Sequence, residues 1–362
     1  MGFNKQRKIV IAIHSLKVGG MEKVTSGLVN YLAHKEDLEI HLMLYGIKRD
    51  VFYEINPNIT IHKPSFEFDN NNRILSALKT LVFLRNTIKD LNPHSVLSFG
   101  EYWNNMILLS MIGLRIPVYI ADRSTPLKDL GKLQNLLRTL LYPKAKGLIV
   151  QTKLAKKIYI KKFRKLNIEV IGNPISSINS STVKRENVIL TVSRLIETKH
   201  IDRLITIFSK LRVPEWKLVV VGENAKKQNT RERLEKLVYD MNLTKRVVFA
   251  GNQKDVNSFY LKSKIFAFTS SSEGFPNVIV EAMAAGLPVI SYDCAAGPSE
   301  IITNGEDGFL IPLFDDCLFQ KKLEYLMENE EIRYKMGLKA ATIKDKFRCD
   351  IIYERFLKMI LH

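Results

Sequence analysis

Short apolar runs alternate with helical-period segments along almost the whole chain, and that alternation sets the fold class. The runs Ile9–Ile13, Ile40–Leu44, Val96–Phe99, Val118–Ile120, Gly147–Val150 and Glu169–Ile171 are bounded by turn residues. Parallel strands covered by helices on both faces read this way, because neither face meets water. A second series follows at Val188–Val192, Lys217–Val221, Val247–Ala250, Ile265–Phe268 and Pro288–Ser291. Together they predict an α/β protein of two doubly wound, Rossmann-like parallel sheets facing each other across a cleft. A length of 362 residues suits two such domains. The boundary is expected within Gly172–Asn187, where Asn173-Pro174 interrupts regular structure and Ser176–Thr182 is rich in Ser and Asn.

Composition narrows the class. At 46% hydrophobic and 25% charged, the chain reads as an ordinary soluble globular protein. Its three cysteines, Cys294, Cys317 and Cys349, are too sparse for a disulfide framework or a zinc site and argue for a reducing compartment. The basic start followed by Ile9–Ile13 is too short for a signal peptide and fits a buried first strand. Ile107–Leu114, closed by Arg115, is too short to span a bilayer. A cytoplasmic protein is expected.

The formal net charge is +18, and it is unevenly spread. Between Lys132 and Lys165 there are eleven Lys or Arg residues and no Asp or Glu. Two amphipathic helices with lysine-rich outer faces would account for part of this pattern. The missing acids favour a peripheral contact with an anionic membrane, where each basic residue contributes roughly 1 kcal/mol. Nucleic acid is not implied, since no binding motif accompanies the charge.

The segment Ser270–Ile302 carries the chemistry. It places Glu273 and Glu281 eight residues apart, with Gly274, Phe275, Pro276 and Asn277 as a turn after the first. Pro276 is expected to open a helix and Gly286 to close it. Glu273 then sits on the entering loop and Glu281 on the helix, whose free N–H groups favour a phosphate or diphosphate. The two carboxylates would accept hydrogen bonds from ribose and hexose hydroxyls, which outlines a nucleotide-sugar site. Ligands of such sheets bind beyond the carboxyl ends of the strands. That rule brings the loops at Gly19-Gly20, Phe99-Gly100, Asp122–Ser124, Arg194, Gly222 and Glu273 to the cleft.

This segment resembles the donor-binding signature of the retaining glycosyltransferases of family 4, which have the GT-B fold. Five further landmarks match in the family's order. They are the glycine-rich loop Gly19–Lys23, the basic pair Arg194 and Lys199, the strand-end loops Val221–Glu223 and Phe249–Asn252, and Gly297–Glu300. The resemblance implies an N-terminal acceptor domain (1–174), a C-terminal donor domain (175–345) and a final helix (346–362) returning to the first domain. It also implies transfer of a hexose or N-acetylhexosamine from a nucleotide sugar, with UDP the expected nucleotide and GDP open. The acceptor would be a lipid-linked or membrane-associated glycan of the kind used for bacterial O-antigen or capsule, reached from the inner face of the cytoplasmic membrane.

By the same resemblance, Arg194 and Lys199 stabilise charge building on the departing diphosphate, and Glu273 holds a donor-sugar hydroxyl. Glu281 holds the ribose. Gly19, Gly20, Gly222, Asn252 and the Gly274–Asn277 turn complete the donor side. On the acceptor side, relatives often carry a histidine where this chain reads Asp122-Arg123, so either of those or His14 would act there; packing is the alternative reading of His14. His200 stands where many relatives carry glycine. No Asp-x-Asp motif brings a metal, and no other cofactor is implied. The other readings are a sugar-nucleotide epimerase or hydrolase on the same fold, or a basic membrane scaffold with a vestigial site.

Overall fold

The computed structural model describes residues 6–47, 49–175, 183–225 and 228–362. Met1–Lys5 and the Ser176–Thr182 part of the expected boundary lie outside the described residues. The chain divides into two compact units, Met1–Pro174 with Cys349–His362, and Ile175–Arg348.

The first unit runs β1 (Arg7–Ile13), α1 (Gly20–Leu32), β2 (Leu38–Leu44), β3 (Thr60–His62), α2 (Arg73–Leu91), β4 (Ser95–Phe99), α3 (Glu101–Ser110), β5 (Val118–Ala121), α4 (Lys132–Leu141), β6 (Gly147–Val150), α5 (Lys153–Lys162) and β7 (Asn167–Val170). All seven strands are parallel, in the order β3-β2-β1-β4-β5-β6-β7. Every residue from Ile9 to Ile13 is fully buried, which is why that run is apolar without alternation. Crossovers in such sheets are right-handed, so reversing direction after β3 moves the helices to the other face. α2–α5 therefore share one face of the sheet, and α1 covers the opposite one.

The second unit comprises β8 (Val188–Val192), α6 (Ile201–Ser209), β9 (Lys217–Val221), α7 (Thr230–Asp240), β10 (Val247–Gly251), α8 (Asn257–Lys262), β11 (Ile265–Phe268), α9 (Asn277–Ala284), β12 (Val289–Asp293), α10 (Pro298–Ile301), β13 (Gly308–Pro312), α11 (Asp316–Glu328), α12 (Glu330–Ala341) and α13 (Ile343–Lys346). Its six parallel strands follow the order β10-β9-β8-β11-β12-β13. Phe208, Trp216, Tyr292 and Phe319 fill its core. The last helix, α14 (Cys349–Leu361), packs on α1 and β4 of the first unit. Tyr353 and Glu354 of α14 meet Tyr31 of α1, by ring contact and by a 3.0 Å hydrogen bond. Gly27 makes room for the Tyr353 hydroxyl, which a Cβ there would overlap.

Local signals explain several boundaries. Thr152 caps α5 by accepting from the Ala155 N–H at 3.1 Å, and Asp315 caps α11 through the Leu318 N–H at 2.9 Å. Gly286, at φ 76°, ends α9 in the left-handed region. Two strands were not expected from the sequence, β3 and β13. Both lie at sheet edges, where β3 is only three residues long and β13 ends in proline.

The lysine-rich outer face expected of α4 is not observed. Leu133, Leu136 and Leu140 are exposed, whereas Arg138 is buried.

Candidate functional site

In the second unit, the loops leaving β8 and β11 are stitched together by main-chain and hydroxyl contacts. Ser271 N–H donates to Thr198 O at 2.9 Å, and the Thr269 hydroxyl to Lys199 O at 2.8 Å. His200 follows at φ 49°, the left-handed conformation that glycine adopts most readily, and its Nε2 lies 2.8 Å from the Ser271 hydroxyl. Lys199 Nζ forms an ion pair with Glu273, both largely shielded from solvent, and lies over the Phe268 ring. A pair that the resemblance assigns to separate parts of a ligand is thus in direct contact.

Arg194 leaves β8 on the same loop, exposed, and lines a cavity of about 690 Å³ with Thr198, Gln228, Asn229 and Arg233. The loop is fixed from below. Ser193 N–H donates to Val221 O and Leu195 N–H to Glu223 O, at 3.0 and 2.9 Å. Gly222 allows this close passage: its φ is 135°, and a Cβ there would lie 1.8 Å from Ser193 O. Asn252 is exposed on the next strand-end loop, just after Gly251 at φ 68°.

α9 begins at Asn277, one residue later than expected, with Pro276 as its N-cap. Pro276 is buried against Gly297, which has φ 113° and no room for a Cβ. Phe275 meets Phe347 edge-on at 5.5 Å, so the Gly274–Asn277 turn is braced on two sides. Glu281 lies one turn into α9, half-buried, and Oε2 accepts a 3.0 Å hydrogen bond from the Tyr260 hydroxyl. Sequence reasoning missed Tyr260. Nothing near it marks a link to a residue on another helix.

In the first unit, Gly19 caps α1 and Gly20 opens it. The Tyr53 hydroxyl donates to Gly19 O at 2.9 Å and accepts from its N–H at 3.1 Å. The Glu22 carboxylate folds back over Gly19, and burial raises its pKa. His14 stacks on Trp103 with ring centroids 4.8 Å apart, and burial lowers its pKa, favouring the neutral imidazole.

The residues Asp122 and Arg123 separate in role. Asp122 turns inward: its Oδ1 accepts from the Tyr142 hydroxyl at 2.7 Å and Asn104 Nδ2 at 2.9 Å, and Oδ2 from the Tyr159 hydroxyl at 2.5 Å. It is an internal hub, 3% exposed, and not the open ligand group expected from the sequence. Arg123 stands over the Phe99 and Phe356 rings and bonds Asn173, but its Nε and Nη1 are sealed from solvent without a partner. Burial lowers its pKa to about 10, against the opposing charge of Glu101. Glu101 holds the loop by accepting from the Arg123 and Ser124 N–H groups at 2.9 and 2.7 Å.

Burial, then the Glu101 charge, push the Asp122 carboxyl up to about 7 from 3.8, although the two tyrosine hydroxyls oppose this. A carboxyl raised on folding contributes stability that is full below its unfolded pKa and is lost as pH rises through about 7. Asp122→Asn cannot titrate, so its melting temperature is expected to gain on the parent between pH 4.5 and 8. A gap that stays constant across that range in a thermal melt would remove Asp122 as the titrating group.

Among the described residues, no three His, Cys, Asp or Glu side chains are grouped to hold a metal ion. No helix is long and apolar enough to cross a membrane, again among the described residues.

The sequence model of glycosyl transferases group 1 matches residues 174–342. The chain is 29% identical to the N-acetylgalactosamine-N,N'-diacetylbacillosaminyl-diphospho-undecaprenol 4-alpha-N-acetylgalactosaminyltransferase of Campylobacter jejuni, over 98% of this chain and 100% of that protein. It is 26% identical to the amylovoran biosynthesis glycosyltransferase AmsD of Erwinia amylovora, over 90% and 92%. Among solved structures, HepE of Anabaena in complex with UDP aligns with a TM-score of 0.81 at 17% identity, covering 98% and 99% of the two chains. TarM aligns with a TM-score of 0.77 at the same identity, over 98% and 99%. The chain is a GT-B glycosyltransferase, and residues 174–342 are its glycosyl transferases group 1 region.

Proposed function

We propose that this chain is a retaining, metal-independent transferase that moves a hexose or N-acetylhexosamine from a UDP-sugar to a lipid-linked glycan in bacterial cell-surface polysaccharide synthesis. One observation carries the reading. Two cations, Arg194 and Lys199, share a loop locked to the loop that bears Glu273. Breaking the bond between the anomeric carbon and the diphosphate leaves negative charge on a phosphate oxygen, and fixed cations there lower the barrier. The acceptor hydroxyl attacks from the face the phosphate leaves, forming the new glycosidic bond and passing its proton to that phosphate oxygen. Glu273 releases Lys199 to the diphosphate and takes a sugar hydroxyl in exchange, while Glu281, oriented by Tyr260, holds the ribose. On the acceptor side of the first unit the reading keeps Arg123, which stands over Phe99 and Phe356, and His14, stacked on Trp103.

The relatives named for undecaprenol-linked acceptors support a membrane-borne substrate. A peripheral position on the inner face of the cytoplasmic membrane follows, with the basic residues between Lys132 and Lys165 turned to anionic lipid. A thermal-shift panel with UDP, GDP, ADP and CMP in EDTA tests the donor. UDP alone is expected to stabilise, by about 2.7 kcal/mol at a hundred times Kd. No shift with UDP, or a shift that needs a divalent ion, would overturn the donor or the metal-independent part.

A further inference from the structure

Two helices of the first unit, one on either side of α3, leave apolar stripes exposed. α2 buries Leu84 and Ile88 and, nearer its start, Ser76 and Thr80, whose hydroxyls bond the local main chain at Asp69 O and Ser76 O. On the opposite side of the same helix, Ile74, Leu75, Leu78 and Val82 are 45–79% exposed. α4 buries Arg138 and Leu141, while Leu133, Leu136 and Leu140 are 56–66% exposed. α3 packs between the two, and Leu109 on it and Ile112 just after its end are exposed. Apolar stripes spaced three and four residues apart lie along one helix side, and here that side points away from the sheet. Scattered exposed leucines need no explanation, but apolar stripes at helical spacing on α2 and α4, both packed on α3, mark an interaction surface.

Charge selects the occupant. From residue 71 to 168, which supplies α2–α5, the exposed acids are Asp90 and Asp129, against fourteen exposed Lys or Arg. A second copy of this chain docking by the same face would set like charges against each other. An anionic bilayer offers both an apolar interior and neutralising phosphates, the combination that interfacial helices require. The helices also start at the carboxyl edge of the sheet, the edge that carries His14 and Arg123.

We infer that the outer face of α2, α3 and α4 docks on an anionic lipid bilayer, its leucine and isoleucine side chains entering the headgroup region while the flanking lysines and arginines meet lipid phosphates. This surface rests on the proposed reading of a membrane-borne acceptor and states where the bilayer meets the chain.

Vesicle co-sedimentation of the full chain tests it, using phosphatidylglycerol–phosphatidylethanolamine and pure phosphatidylcholine vesicles at low and high salt. The parent is expected to bind the anionic vesicles and to retain part of that binding at high salt, because screening removes only the charge contribution. The triple variants Ile74→Ser/Leu78→Ser/Val82→Ser and Leu133→Ser/Leu136→Ser/Leu140→Ser should each bind about tenfold more weakly and lose the salt-resistant fraction. Their melting temperatures and their turnover of UDP-sugar on a water-soluble acceptor should match the parent. Parental vesicle binding by both variants would overturn the inference. So would a parent dimer that the variants dissociate while vesicle binding is unchanged, which would assign the face to a second copy. A parent that binds vesicles by this face yet transfers no sugar would sustain the surface and sink the transferase reading instead.

Discussion

Replacing Lys199 with alanine is expected to lower kcat by about 10²–10³-fold, the loss seen when one fixed donor to a developing anion is removed. The structure makes this a sharper test than the residue type alone. Lys199 Nζ is held by Glu273, and the two are joined across 74 residues of chain. Lys199→Ala therefore does two things: it removes a cation from the diphosphate and leaves the shielded Glu273 carboxylate without its partner. Arg194→Ala does only the first, since Arg194 is exposed and makes no ion pair among the described residues. Both single variants should lose turnover far more than acceptor affinity. A double-mutant cycle over Lys199→Ala and Glu273→Gln separates the effects, because residues in contact do not add. The double variant should lose much less than the sum of the two singles. Strict additivity, or Arg194→Ala turning over within threefold of the parent, would remove these residues from a shared role at the leaving group.

Burial on both faces made most of the architecture legible. A parallel strand covered on each side must be apolar throughout, so both series of runs stand out; β3, only three residues long and partly exposed, and β13, bounded by Gly308 and Pro312, were unreadable. Single residues with one physical use were also legible. Gly286, expected to close the helix that bears Glu281, ends α9. Glu273 could be placed on its loop and Glu281 on its helix. Their partners could not, because Lys199 and Tyr260 reach them through contacts that leave no local pattern. Asp122 was misjudged for a related reason. A carboxylate at a strand end reads as a ligand group, and only the tyrosines from two later elements show that it turns inward. In α4 the helical period was correct but its phase was not. Periodicity identifies a leucine stripe without saying whether a sheet or a bilayer covers it.

Gly222→Ala is expected to destabilise the second unit by about 2–6 kcal/mol, combining backbone strain of roughly 1–3 with overpacking of roughly 1–3. Its φ of 135° lies where side-chain-bearing residues rarely go, and the added Cβ would sit 1.8 Å from Ser193 O and 2.8 Å from Ser193 C. Both obstacles are main chain, so no flexible side chain can swing away. The loop after β9 can relieve the overlap only by rotating, which would break the 2.8 Å hydrogen bond from Gly222 N–H to Gly251 O. Otherwise the loop after β8 must retreat and carry Arg194 with it. Gly305→Ala is the control, in the same unit at φ 82° but with nothing within 4 Å of its Cβ. That variant has the strain without the collision. Urea unfolding should therefore place Gly222→Ala well below Gly305→Ala, and its folded fraction should show weaker stabilisation by UDP, since Arg194 is displaced. Equal destabilisation by the two substitutions, or a Gly222→Ala protein that UDP stabilises as fully as the parent, would mean that contact between the β8 and β9 loops does not position the cation.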